Sequence, residues 1–233
     1  MLSCRLIVVA ACLTGLIVLS PAATAQPDPA AHVAAVKTWL AESKANLRNY
    51  QWIETTTVAV KGDVKTTKVN NCYYDVTGTL QKIETSSTAP KSKPGLRGAI
   101  QKDASKDMAA YLGKATALVK TYPPPVPEKL QSAKDTGKMS IDFLPGGQNI
   151  RLNFHDYHLP GDNLSVSLDK ATNRLLDFGV STYIDDPKDA VTLAVTIGSL
   201  PDGTGYAQGI TLNAASKNLT VTVMNSGYRK AGN

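Results

Sequence analysis

"YQWIETTTVAVKGDVKTTKVNNCYYDVTGTLQKIETS" occupies residues 50–86, and its period decides the fold. Successive side chains of an extended chain point to opposite faces. Tyr50, Trp52, Thr56, Val58 and Val60 therefore share one face, while Ile53, Thr55 and Thr57 take the other. Threonine, valine and aromatic residues fit a pleated, half-buried surface. "KGD" at 61–63 and "VTG" at 76–78 supply turn residues between the extended runs, so the stretch predicts a three-stranded antiparallel meander.

On the N-terminal side the period changes to that of a helix. Asp28 suits an N-cap and Pro29 a first helical position. Val33, Val36, Leu40 and Leu47 then recur on one face, and His32 reads as a surface residue of the first turn. On the C-terminal side, "TAPKSKPG" at 88–95 breaks the sheet. A second helix is predicted over 98–122, with Ile100, Ala104, Met108, Leu112, Ala115, Leu118 and Tyr122 forming an apolar stripe. "YPPPVP" ends it, because consecutive prolines cannot continue a helix, and reads as a rigid connector.

The rest of the chain reads as strands near 139–144, 148–157, 163–170, 174–184, 190–198, 204–214 and 218–228, separated by "PGG", "LPGD", "ATN", "DDPKD", "PDG" and "SKN". This spacing suggests successive hairpins in one antiparallel sheet. The fold class is α+β. One domain over 26–233 is expected, with the loop 86–97 and the proline break 123–127 inside it.

Residues 1–25 read as a cleavable signal peptide. Arg5 gives a basic start, 6–19 is apolar, and Ala23, Thr24 and Ala25 follow Pro21 as a cleavage site, leaving a chain that begins at Gln26. "VAAC" ending at Cys12 resembles a lipobox, but the apolar run before it is short and the run continues past it. No later stretch is apolar for the length of a spanning helix. The strands carry Thr, Asn and Lys on both faces, unlike the lipid-facing alternation of a membrane barrel. A soluble exported protein, periplasmic or extracellular, is expected. Beyond the leader only Cys72 remains, which excludes an internal disulfide and reads as a small buried residue.

The formal net charge is +6, and its excess is local. Residues 61–106 hold nine Lys/Arg against four Asp/Glu, whereas 26–60 and 107–233 are balanced. Lys91, Lys93 and Arg97 lie within this segment, which suits either a solvated loop or a surface for an anionic partner. Nucleic acid is disfavoured, since the chain has an export signal and no recognisable binding motif.

Templates for chemistry fare poorly. "FHDYHLPGD" at 154–162 contains His155 and His158, which would point to opposite faces of a strand, and "LPGD" is a good turn. The stretch reads as a strand end, not a metal site. "DTG" at 135–137 has lysine on both sides and no second copy, so it reads as a turn rather than a protease aspartate. "DDPKD" at 185–189 lacks the ligand spacing of a calcium loop. There is no G-x-S-x-G, H-E-x-x-H or phosphate loop. "NLS" at 163–165 and "NLT" at 218–220 match the glycosylation pattern, which matters only in a eukaryotic secretory route.

The order of leader, helix, meander, second helix, proline break and long antiparallel run resembles the LolA/LolB-like class of periplasmic lipoprotein carriers. "NYQWIETTTVAVKG" and "HLPGDNLSV" also resemble stretches of exported bacterial proteins of unknown function. The resemblance implies a strongly curved antiparallel sheet, an incomplete β-barrel, covered by two amphipathic helices over an apolar cavity for acyl chains. Where the class has an arginine-bearing strand after the first hairpin, this chain has "NNCYYDVTGTLQKIE", so no ligand-contacting residue is carried over.

The expected function is non-enzymatic binding or transport of a lipid or other amphiphile, with no cofactor or metal. Trp52, Val58, Val60, Ile100, Met108 and Leu112 would make apolar contact. Lys91, Lys93 and Arg97 would meet an anionic headgroup or membrane surface, and the 88–95 loop would act as a gate. Two rivals stand beside this reading. One is an envelope interaction protein with a solid core, and the other a hydrolase using Asp156, His158 and Asp162.

Overall fold

The computed structural model describes residues 29–88, 96–122 and 127–231, without the side chains of 29–30, 32–33, 96–105, 127–128 and 130. The predicted first helix is α1 (Pro29–Asn46), and the meander is β1 (Tyr50–Val60), β2 (Asp63–Tyr74) and β3 (Leu80–Thr88). Helices α2 (Leu96–Val119) and α3 (Pro127–Asp135) follow. Seven strands complete the chain: β4 (Met139–Phe143), β5 (Asn149–His155), β6 (Asn163–Asp169), β7 (Leu175–Tyr183), β8 (Ala190–Ser199), β9 (Gly205–Ala214) and β10 (Leu219–Lys230).

All ten strands join one antiparallel sheet in the order β3-β2-β1-β10-β9-β8-β7-β6-β5-β4. The seven later strands pair as consecutive neighbours, as their spacing predicts. The one long-range junction is β1 against β10, which welds the opening meander to the end of the chain. β3 and β4 lie at the two edges, so the sheet is open, in keeping with the curved sheet expected.

Register follows hydrophobicity, because a one-residue slip would move every apolar side chain to the wrong face. Val58, Val221, Leu212, Leu193, Val180, Leu164, Phe154 and Met139 are successive cross-strand partners from β1 round to β4. A second apolar row runs beside it from Val223 through Ile210, Val195, Phe178, Val166 and Leu152 to Ile141. Both rows lie on the face that receives the helices. Val36 of α1 and Ala115 and Val119 of α2 are buried in one cluster with Ile150, Leu152, Phe154, Leu164 and Leu212.

Polar bonds fix the helices in place. On α1, Trp39 Nε1 donates to the Gly203 carbonyl at 3.2 Å, and Ser43 Oγ accepts the Gly205 N–H at 2.9 Å. Gly205 permits this approach: a Cβ there would sit 2.3 Å from the Trp39 ring. On α2, the Tyr111 hydroxyl donates to Asp189 Oδ1 at 2.5 Å.

Two helix expectations need correction. α2 ends at Val119, so Tyr122 lies beyond the helix it was assigned to. The "YPPPVP" segment is not only a connector: its last proline, Pro127, opens α3, where a missing N–H costs nothing. Among the described residues, no helix is long and apolar enough to cross a membrane.

Candidate functional site

The helix-facing surface changes character across β1. Towards β10 the partners of Thr56 and Val58 are Val223 and Val221; towards β2 they are Lys68 and Thr66. Lys68 pairs with Glu84 of β3 at 2.8 Å, and Lys82 of β3 pairs with Glu54 of β1 at 2.6 Å. Glu54, largely buried, also accepts from Asn70 Nδ2 at 3.2 Å, so its charge is paired and hydrogen-bonded as burial requires. Around Glu54, Thr56 and Val58 this face thus passes from apolar on β10 to polar and ionic on β2 and β3, with the boundary along β1.

Val58 and Val60 lie on β1 at this boundary, and Met108 and Leu112 lie on α2. All four are partly buried and pack against the main core. Tyr111 holds its stretch of α2 at the same end of the sheet. Its hydroxyl reaches Asp189 and lies 3.3 Å from Ser216 Oγ, three residues before Leu219, the partner of Val60. Burial and the bond to Asp189 raise the Tyr111 pKa.

Trp52 sits elsewhere. Its ring stacks on Tyr228 with centroids 5.4 Å apart, meets Tyr74 at 5.9 Å, and donates from Nε1 to Asn225 Oδ1 at 3.1 Å. The register between β1 and β10 shifts at this point, where Gly227 with φ of 64° lets two residues oppose one. Trp52 therefore belongs to an aromatic cluster at the start of β1, apart from Val58 and Val60. Cys72, paired with Trp52, is fully buried, and that burial pushes its thiol pKa up. It is an inert packing residue.

Lys91 and Lys93 lie outside the described residues. Of Arg97 and Ile100, the backbone within α2 is described and the side chains are not. The alternation of charge across β1, which sequence reading missed, could have been found by aligning "KTTKVNN" with "TTTVAV" across the turn at 61–63.

"FHDYHLPGD" ends β5 and folds into a turn organised by Asp162, which is 1% exposed. Its carboxylate accepts the backbone N–H groups of Tyr157 at 2.5 Å, His158 at 3.0 Å and Leu159 at 2.8 Å. A fourth donor, the Tyr122 hydroxyl, approaches Oδ2 at 2.5 Å. The Tyr122 hydroxyl oxygen in turn accepts from Thr182 Oγ1 at 2.7 Å, since its own proton goes to Asp162. Asp156 accepts the Gly161 N–H at 2.6 Å and pairs with Lys138 at 3.2 Å. His158 contacts the Thr121 carbonyl at 2.9 Å through Nε2. Each of the three residues of the hydrolase reading thus has a structural task. Among the described residues no group of His, Cys, Asp or Glu could hold a metal ion.

No protein-family model matches the chain, and no curated protein does. Several solved structures align with most of the chain. A DUF1329 family protein from Desulfovibrio piger aligns over 88% of this chain and 95% of its own, at 9% identity and a TM-score of 0.38. A LolA superfamily protein from Nitrosomonas europaea aligns over 85% and 94%, at 9% identity and a TM-score of 0.33. An outer membrane lipoprotein-sorting protein domain from Vibrio parahaemolyticus aligns over 86% and 94%, at 13% identity and a TM-score of 0.33. At these identities and TM-scores the likeness carries no property of those proteins to this chain.

Proposed function

We propose that the protein is an exported, non-enzymatic carrier of a lipid or similar amphiphile, bound along β1, where the apolar core borders the ionic strands. The observation that carries this reading is the change across β1, where an apolar lane borders an ionic one. Val58, Val60, Met108 and Leu112 stay partly open at the edge of the core, although apolar side chains gain about 25 cal/mol per Å² when withdrawn from water. Lys68, Glu84, Lys82 and Glu54 lie alongside. A purely hydrocarbon ligand would have no use for that border, whereas a molecule with a tail and a head would match both sides. Lys91, Lys93 and Arg97 would add contacts to an anionic headgroup or a membrane surface, and the 88–95 loop would gate entry. The leader places this activity in the periplasm or outside the cell.

A second reading draws on the opposite face. Ile53, Ile83 and Met224 are 45%, 54% and 47% exposed there, which suits an envelope interaction protein.

Native mass spectrometry of mature protein from an exporting host, followed by lipid extraction, separates the two. A stoichiometric lipid that is lost in Leu112→Arg is the result expected of the carrier. A bare mass for the folded wild type would overturn it in favour of the interaction protein.

A further inference from the structure

A cleft of about 290 Å³ lies between α3 and the end of β5, and no residue of β1 lines it. Lys129, Ser132, Lys138, His155, Asp156 and Tyr157 line it. The charges do not cancel. Asp156 is the one carboxylate among the described residues of the lining. It is already engaged: Lys138 pairs with one oxygen at 3.2 Å and the Gly161 N–H donates to the other at 2.6 Å.

Among the described residues Lys129 has no such partner. Its ammonium donates to the Tyr157 carbonyl at 3.2 Å, lies 2.6 Å from His158 Nδ1 and sits 4.7 Å over the Tyr157 ring. None of these contacts is to a carboxylate. A half-buried ammonium with no carboxylate against it keeps its charge for a ligand, and buried charge is ordinarily paired. His155 presents its exposed ring to the same space, and Ser132 adds a hydroxyl. Tyr157, buried and part of the main core, forms a rigid wall.

We propose that this cleft binds a phosphate group, carried either by a soluble phosphate ester or by a lipid headgroup. Lys129 and Lys138 supply point charges, and His155 and Ser132 supply directed donors for an anion with several terminal oxygens. The assignment does not rest on the carrier reading and survives its failure.

The test is a titration of the full mature chain with inorganic phosphate, at ionic strength held constant with chloride, following the His155 ring by ¹H–¹³C NMR. A saturable shift is expected, with Kd raised at least tenfold in Lys129→Gln and in Lys138→Gln. Lys129 also holds the Tyr157 carbonyl, so far-UV circular dichroism checks its fold, and the more exposed Lys138 provides the independent variant. A response that is linear in phosphate, or a Kd unchanged in both variants, overturns the proposal. Co-sedimentation with phosphatidic acid vesicles against phosphatidylcholine vesicles then separates the sources. Capture on phosphatidic acid that is lost in Lys129→Gln assigns the headgroup. Saturable phosphate binding with no vesicle capture assigns a soluble ester.

Discussion

The hydroxyl of Tyr122 shows what one polar atom does in this molecule. It is fully buried, sits past the end of α2, and ties that helix to a turn of the sheet through Asp162 and to β7 through Thr182. Tyr122→Phe leaves the ring in place and removes both bonds, so Asp162 keeps only its backbone donors. A buried group stripped of a partner costs roughly 1–3 kcal/mol, and urea unfolding at neutral pH should show a loss of that order. The pH dependence has a definite sign. Burial first, and the bond to Asp162 second, raise the Tyr122 pKa above its ordinary 10.0. A group whose pKa is raised on folding gives stability that is complete below the unfolded pKa and is lost as pH climbs through the folded one. The gap between wild type and Tyr122→Phe should therefore hold steady up to pH 10 and narrow above it. A gap that widened there would show that folding lowers this tyrosine's pKa, against both its burial and its bond to Asp162.

At the scale of elements, α1 is docked by a shape fit as much as by a stripe. Trp39 occupies space that a side chain at Gly205 would fill, so Gly205→Ala should destabilise by about 1–3 kcal/mol through overpacking. Trp39→Phe shortens the ring at that contact. In the double variant the penalty of Gly205→Ala should shrink, a coupling that a double-mutant cycle in urea reads directly. Equal penalties in the two backgrounds would place the clash elsewhere. This contact also marks where sequence reading stops. The strands were legible because a period of two and a turn every few residues are local signals, and all ten appear where the spacing puts them. Trp39 was not legible, because its partner is a glycine on β9 and a carbonyl 164 residues away. α3 was missed since nine residues are too few for a stripe and its first residue belongs to a proline run. Val58, Val60, Met108 and Leu112 could be chosen from periodicity as apolar residues that pack against the core. Trp52 was grouped with them because alternation alone cannot see the irregularity opposite it at Gly227, which gives its end of β1 separate partners.

For the whole molecule the decisive event is the pairing of β1 with β10, which joins residues near the two ends of the described chain in one ladder. Nothing local announces it. Once made, it leaves no seam: the row from Val58 to Met139 crosses eight strands without a break, so no group of strands owns a core of its own. A sheet built this way should unfold as one unit, and its long-range contacts predict slow folding compared with a helical protein of equal length. The two tryptophans offer a test because they report from different places, Trp39 between α1 and β9 and Trp52 in the aromatic cluster of β1, β2 and β10. In Trp39→Phe the remaining fluorescence follows the opening meander, and in Trp52→Phe it follows the helix-to-sheet contact. In each variant the urea transition seen by fluorescence should coincide with that seen by far-UV circular dichroism, with a single midpoint. A Trp52 signal that melted before the bulk of the sheet would mean that β1–β3 can peel away from β10. The apolar and ionic lanes would then be able to separate, and the boundary between them would be a moving part rather than a fixed wall.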